Sequence, residues 1–156
     1  EKQITQLVRA GTFNAKLSPG GLVDCEYLVQ GLQITFGHLD KAIREPNTRE
    51  AMKALETYGI VTGGDRVALR DAYRFFRRVI DALRMVRGDA SDLTIPDRDS
   101  DEFIFLARRL GYLPDAEPLQ HDLERHTRNV VALSSQLEIL MQRAPTPIHS
   151  ARESRR

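Results

Sequence analysis

The strongest constraint on the fold is the spacing of apolar residues, which recur every three or four positions along almost the whole chain. That spacing places them on one face of an α-helix, whereas the strict alternation of a strand is scarce. The longest seam steps by four and three through Leu119, Leu123, His126, Val130, Leu133, Leu137 and Leu140. It is either core or a face for a partner helix. The pattern predicts an all-α fold, a bundle of about six helices.

The helical pattern divides into segments spanning about residues 2–10, 19–38, 47–59, 66–87, 99–111 and 118–142. Ser18 is placed to cap the second helix. Asn47 and Glu50 have the spacing of a capping box for the third, and Asp99 and Glu102 have it for the fifth. The residues expected to stop the first, third and fifth helices are Gly11, Gly59 and Gly111.

The length of 156 residues suits one domain with a sizeable core. We expect residues 1–17 to be the end of a preceding helix and a connector, and 18–142 to form the bundle. Residues 143–156 have no apolar period and are expected to be a disordered tail. The chain begins at Glu1 without a methionine, which suggests a piece of a longer protein.

Composition and single residues exclude several function classes. The 23 basic and 22 acidic residues give a net charge of +1, so no global field favours nucleic acid. From the absence of an apolar run of about 18 residues and of a charged-then-apolar N-terminus, we expect neither a membrane span nor a secretory leader. The only cysteine, Cys25, fits a reducing cytoplasm and a buried position. No histidine follows a carboxylate at the Glu-x-x-His spacing, so we predict no metal site and interpret His126 as a packed residue.

Residues 18–30, SPGGLVDCEYLVQ, place Asp24 and Glu26 after a Gly-Gly pair, an order that imitates the metal-binding signature of nucleotidyltransferases. On a strand these two carboxylates would point the same way and share one cation. On a helix, at about 100° per residue, they lie about 200° apart and cannot easily do so. Asp24 instead suits the positive N-terminal end of the helix.

Glu26 heads a polar strip with Gln30, Gln33 and Gly37, at spacings of four, three and four. The rest of this helix is apolar over most of its circumference, which predicts a central place in the bundle. A carboxylate on such a helix needs a partner, either a buried arginine or a ligand. The sequence leaves both interpretations of Glu26 open.

Lys16 and Ser18 precede Gly20 and Gly21 at the start of the same helix. Glycines at a helix N-terminus let an anion approach exposed backbone N–H groups, and a lysine adds positive charge. The full spacing of a P-loop is absent, so the alternative is a plain helix start.

The fourth predicted helix carries five arginines along one flank of its two apolar stripes: Arg66, Arg70, Arg74, Arg77 and Arg84. Guanidinium groups bind phosphate and carboxylate bidentately. The candidates for a surface that faces another domain or a substrate are Arg70, Arg74, Arg77 and Arg84. The alternative is a solvated face on which some arginines pair with Glu26 or Asp24.

Residues 16–33, KLSPGGLVDCEYLVQGLQ, resemble the start of the helical domain of bacterial glutamine-synthetase adenylyltransferases. The shared pattern is Gly-Gly-hydrophobic-x-Asp-hydrophobic-Glu-Phe/Tyr, with Cys25 in place of the usual branched apolar residue. Further matches follow in the same order: Asn47-Thr48-x-Glu50-Ala51, Asp71-Ala72-Tyr73, Leu83-Arg84 and Ala107-Arg108-x-x-Gly111-Tyr112. The resemblance covers about residues 10–135.

The resemblance implies an accessory helical bundle fused directly after a nucleotidyltransferase domain. The parent enzyme would use ATP and Mg²⁺ to transfer AMP to a tyrosine of glutamine synthetase, or would remove it, under nitrogen control through the PII signal protein. The catalytic Gly-Ser and Asp-x-Asp motifs of that family are not matched here, so the chain alone is expected to be inactive. The residues expected near the active-site cleft are Lys16, Gly20, Gly21, Asp24, Glu26 and Gln30.

Two alternatives remain beside this resemblance. The related uridylyltransferases of PII carry a similar helical domain, and this chain would fit there as well. A non-catalytic interaction module, whose seam from Leu119 to Leu140 binds a partner helix, is the alternative from another class.

Overall fold

A computed structural model describes residues 6, 8, 11–88, 91–112 and 114–145. These residues form five helices: α1 (Leu22–Phe36), α2 (Thr48–Thr57), α3 (Gly63–Arg87), α4 (Asp101–Arg109) and α5 (Glu117–Arg143). The all-α prediction is confirmed for this part of the chain, with five helices where about six were expected. Most of the predicted helix over 2–10, and the tail from residue 146 onward, lie outside the described residues.

Helix α3 is the axis of the bundle, because it contacts each of the other four helices. Helices α1, α3 and α5 pack against one another, α2 packs against α1 and α3, and α4 packs against α3. The segment before α1 joins the same core through Phe13, whose ring centroid lies 6.1 Å from that of Phe76 on α3. Backbone bonds from Ala15 to Leu93 (2.9 Å) and from Ile95 to Phe13 (2.8 Å) hold two connecting segments together.

The long seam of α5 is core rather than a free partner face. Its members from Leu119 to Leu137 are buried, and only Leu140, at the end, is 36% exposed. Helix α3 likewise buries most of its two apolar stripes, with Phe75 and Phe76 in edge-to-face contact at 5.5 Å. The spacing of apolar residues therefore identified the inward faces of the two longest helices correctly.

Helix α1 departs from the prediction that it is enclosed on most sides. Its inward face buries Leu28 and Leu32, but Tyr27 is 67% exposed and Ile34 is 83% exposed. In the described part of the chain no helix covers that side. Counting apolar residues overestimated the enclosure, because such a count does not show how many neighbours a helix has.

Two of the predicted N-caps are wrong. Helix α1 begins after Gly21, and the hydroxyl of Ser18 instead accepts a hydrogen bond from the backbone N–H of Asn14 (2.8 Å). Helix α4 is capped by Ser100, which accepts from the N–H of Phe103 (3.2 Å), and not by Asp99. Both predictions placed the cap too early, because turn residues precede the true cap in each case.

The cap of α2 is confirmed, with the side chain of Asn47 accepting from the N–H groups of Arg49 (3.0 Å) and Glu50 (3.4 Å). The predicted capping box is not completed among the described contacts, because the Glu50 carboxylate pairs with Lys53 (3.0 Å) and not with the backbone of Asn47. Gly59 ends the helix in a left-handed conformation (φ 68°), as expected.

Helix α3 has a capping box that the sequence pattern did not reveal. Thr62 accepts from the N–H of Asp65 (3.0 Å), and the Asp65 carboxylate accepts from the N–H of Thr62 (3.2 Å). Two glycines follow Thr62 directly, and their low helix propensity moved the predicted start to Arg66.

Candidate ligand groove between α1, α2 and α3

A groove with a volume of about 500 Å³ lies where α1, α2 and α3 meet. It is the meeting point of two residue sets that the sequence singled out separately. Its charged and amide side chains are Glu26, Gln30 and Gln33 from α1, Asn47 and Arg49 at the start of α2, and Arg66, Arg70 and Arg74 from α3. Buried apolar side chains complete the lining, among them Val29, Met52 and Leu69.

The α1 wall carries three members of the predicted polar strip, Glu26, Gln30 and Gln33, whereas Gly37 does not line the groove. Glu26 is half-buried and forms no ion pair with any described residue, although four arginines line the same groove. The predicted internal arginine partner for Glu26 is therefore not found in this part of the chain. Gln30 is exposed at the groove. Gln33 holds the wall in place, since its amide donates to the carbonyls of Ile43 and Glu45, both at 2.9 Å.

The α3 wall carries three arginines at spacings of four, so successive side chains lie about 6 Å apart along the helix. Arg66 pairs with Glu56. Arg70 donates to the carboxylate of its neighbour Asp71 at 2.9 Å. Arg74 is exposed and has no ion pair with any residue that the structure describes. The wall therefore presents one uncompensated guanidinium beside two that are held by carboxylates.

The third side of the groove is the N-terminal turn of α2. Asn47 caps this turn, and the aligned peptide dipoles make the end of the helix positive. Arg49, in the same turn, is exposed and likewise lacks an ion pair among the described residues. Two uncompensated arginines, Arg49 and Arg74, thus line one groove from different helices.

The other residues predicted near a cleft do not line this groove. Lys16 is exposed, and Gly20 and Gly21 are buried. The backbone N–H of Gly20 donates to the Asp24 carboxylate at 2.7 Å, and that of Gly21 donates to the carbonyl of Ser18 at 2.8 Å. These donors already have acceptors inside the protein, so this turn offers no ready phosphate cradle.

Gly20 instead packs closely against α5. A Cβ atom at this position would lie 2.7 Å from Cγ2 of Thr127, 2.8 Å from its carbonyl oxygen, and 3.0 Å from Cγ2 of Val131. Its φ of 83° lies in the left-handed region, which favours glycine. Gly20 therefore permits close contact between the start of α1 and the middle of α5.

The remaining candidate arginines lie beyond the groove along α3. Arg77 and Arg84 are both exposed. Arg84 lies 3.5 Å from the carboxylate of Asp81, whereas Arg77 has no ion pair in the described ranges. The predicted arginine flank is thus divided between a groove and an open helix surface.

The two residues interpreted as packed are buried. The ring of His126 stacks on that of Phe75 with centroids 4.4 Å apart, and burial lowers the pKa of His126. Cys25 is 1% exposed, and burial raises the pKa of its thiol to about 12. The interpretation of Cys25 and His126 as packing residues is confirmed.

The described residues contain neither a metal-ligand cluster nor a membrane-spanning helix. No three His, Cys, Asp or Glu side chains among them are grouped as metal ligands. No helix among them is long and apolar enough to cross a bilayer.

The fold and the groove together define an all-α bundle with an arginine-lined polar groove. Residues 2–138 match the family model described as GlnD PII-uridylyltransferase. The chain belongs to that family.

Curated relatives carry the name "bifunctional glutamine synthetase adenylyltransferase/adenylyl-removing enzyme". The protein of that name from Streptomyces avermitilis is 37% identical over 123 residues, which cover 78% of this chain and 12% of the relative. The one from Mycolicibacterium smegmatis is 30% identical over 143 residues, covering 87% of this chain and 14% of the relative. The chain therefore spans only a small part of the length of these relatives, and its resemblance to adenylyltransferases is confirmed.

Proposed function

We propose that this chain is an accessory helical domain of an enzyme that transfers AMP from ATP to glutamine synthetase, or removes it, in the control of nitrogen assimilation. The observation that carries the proposal is the match to relatives of that name over 78% to 87% of the chain. In this proposal the chemistry belongs to a nucleotidyltransferase domain of the same parent protein, which works in the cytoplasm with ATP and Mg²⁺. Its partners are glutamine synthetase and the PII signal protein.

The groove supports a role beside that catalytic domain. Glu26 and Gln30, expected near the active-site cleft, line the same groove as Arg70 and Arg74, expected to face another domain or a substrate. Charged side chains that have no ion pair and lie in a concave surface are available to bind a group of opposite charge. We therefore propose the groove as the interdomain surface, and Lys16, Arg77 and Arg84 lie outside its lining.

The test of function uses the full-length protein that contains this chain. It is incubated with labelled ATP and glutamine synthetase, and in parallel with labelled UTP and PII protein. Label transferred from ATP to glutamine synthetase supports the proposal. Label transferred only from UTP to PII identifies the uridylyltransferase alternative. Transfer in neither reaction, together with a protein mass too small for a second domain, identifies a non-catalytic interaction module.

A second experiment tests the groove in the same full-length protein. Glu26→Ala should reduce AMP transfer more than it reduces the free energy of unfolding, because Glu26 has no ion pair to lose among the described residues. The matched control is Glu138→Ala, which removes an exposed carboxylate from α5. Equal losses of activity and stability in Glu26→Ala would reassign this residue to the bundle. Unchanged transfer after replacing Arg70 and Arg74 by Gln would remove the arginines from the proposal.

A further inference from the structure

We infer that the groove between α1, α2 and α3 binds a small phosphate ester, with the phosphate held by Arg74 and Arg49. The first reason is the balance of charge. Among the described residues, four arginines line the groove against a single carboxylate, Glu26. Two of these arginines are compensated, Arg66 by Glu56 and Arg70 by Asp71. A concave wall with uncompensated positive charge concentrates anions.

The second reason is the arrangement of the donors. Arg70 and Arg74 lie one turn apart on α3, about 6 Å along the helix axis. The start of α2 adds Arg49 and the positive end of a ten-residue helix. The Asn47 side chain already accepts hydrogen bonds from the backbone N–H groups of Arg49 and Glu50. We therefore expect the anion to bind to the arginine side chains and not to these backbone groups. A phosphate has enough acceptor oxygens for two guanidinium forks at once.

The third reason is the size and polarity of the rest of the groove. A volume of about 500 Å³ falls within the range of about 300–1,000 Å³ that is typical of small-molecule sites. A bare phosphate would leave the apolar lining of Val29, Met52 and Leu69 unused. On the α1 wall, the Glu26 carboxylate can accept hydrogen bonds from a ligand, and its negative charge disfavours a second negative group. The ligand is therefore an organic phosphate with hydroxyl or amino donors, about the size of a nucleoside monophosphate.

This inference does not depend on the proposed function, since ligand binding is measured on the 156-residue chain without any transfer reaction. The probes are AMP, inorganic phosphate and glutarate, titrated by calorimetry at constant ionic strength. Glutarate tests the alternative that the groove binds carboxylates, either of a small molecule or of an acidic protein segment. We expect AMP to bind most tightly, phosphate more weakly, and glutarate weakest.

The variants distinguish binding at a specific site from nonspecific attraction of anions by the arginines of α3. Arg74→Gln should weaken AMP binding about tenfold or more, because it removes a charge-assisted hydrogen bond to the ligand. Arg77→Gln is the matched control: it removes the same charge from an exposed position on α3 outside the groove and should leave the affinity unchanged. Glu26→Gln should weaken AMP binding more than phosphate binding, because in this proposal the carboxylate accepts hydrogen bonds from the hydroxyl or amino donors of the ester.

Three outcomes would overturn the assignment. AMP that fails to bind shows that the groove is not a phosphate-ester site. Equal losses in Arg74→Gln and Arg77→Gln show that the helix attracts anions without a defined site. Glutarate that binds as tightly as AMP shows a carboxylate site. Circular dichroism of each variant confirms that the helices are intact before the affinities are compared.

Discussion

Replacing Gly20 by alanine should destabilise the bundle more than the same change at any glycine of similar conformation with open space around it. At Gly20 the new Cβ would lie 2.7–2.8 Å from side-chain and carbonyl atoms of Thr127 on α5. Real Cβ atoms do not approach other heavy atoms so closely, and a backbone carbonyl cannot rotate away as a flexible side chain can. The start of α1 must therefore move away from α5.

The magnitude has two parts. An alanine in the left-handed region costs about 1–2 kcal/mol through its own Cβ and carbonyl contacts. Forcing an extra carbon into a packed contact costs about a further 1–3 kcal/mol. Gly20→Ala should therefore lose about 2–5 kcal/mol of unfolding free energy, the sum of those two terms.

The difference between Gly20→Ala and Gly111→Ala isolates the second part, the cost of the close contact with α5. Gly111 has nearly the same φ, 87° against 83°, but nothing lies within 4 Å of the position its Cβ would take. This control should lose only about 1–2 kcal/mol. The assay is urea unfolding followed by circular dichroism. With a slope of about 2 kcal/mol per molar urea, the midpoint should fall by about 1–2.5 M for Gly20→Ala and about 0.5–1 M for the control. Equal shifts in the two variants would refute the close packing of Gly20 against α5.

Three further predictions concern stability and access to the core. Thr62→Ala should lower the free energy of unfolding by about 1 kcal/mol in urea, because it removes the capping box of α3. Burial lowers the pKa of His126, so the unfolded chain binds more protons than the folded one below about pH 6.5. Stability should accordingly fall as the pH is lowered from 7.5 to 5.5, and a His126→Gln variant with the same loss would exclude this histidine as the cause. The Cys25 thiol, buried and with a pKa raised to about 12, should react with a disulfide reagent at pH 8 only after urea unfolds the chain, and fast labelling of the folded protein would contradict its burial.

The inward faces of the helices could be predicted from the sequence because burial of apolar side chains dominates their packing. The seam of α5 is an example, since six of its seven positions are buried as the spacing required. The start of α3 could not be predicted in the same way. Thr62 caps it through contacts that depend on Gly63 and Gly64 adopting a helical conformation, against their intrinsic preference. Packing of the whole helix outweighs that local preference.

The candidate site shows a similar division. The sequence indicated Glu26 and Gln30 on one helix and Arg70 and Arg74 on another, because polar strips on largely apolar helices are unusual. It did not indicate that these strips share a groove, since this depends on how α1 and α3 pack together. It also gave no reason to include Arg49, whose contribution arises because α2 packs against both α1 and α3. Spacing within a helix is encoded locally, whereas the convergence of helices is not.

The Gly-Gly pair and Glu26 are linked by the geometry of α1. Gly20 lets the start of this helix approach α5, and Glu26 lies on the wall that faces the groove. Because α1 is a single helix of 15 residues, a displacement at its N-terminus moves its polar strip as well. A folded Gly20→Ala protein should therefore also have a changed affinity for AMP, although Gly20 does not line the groove. Gly111→Ala should leave that affinity unchanged. Such a result would mean that Gly20, in a glycine pair that imitates a catalytic signature, acts by setting the distance between two helices.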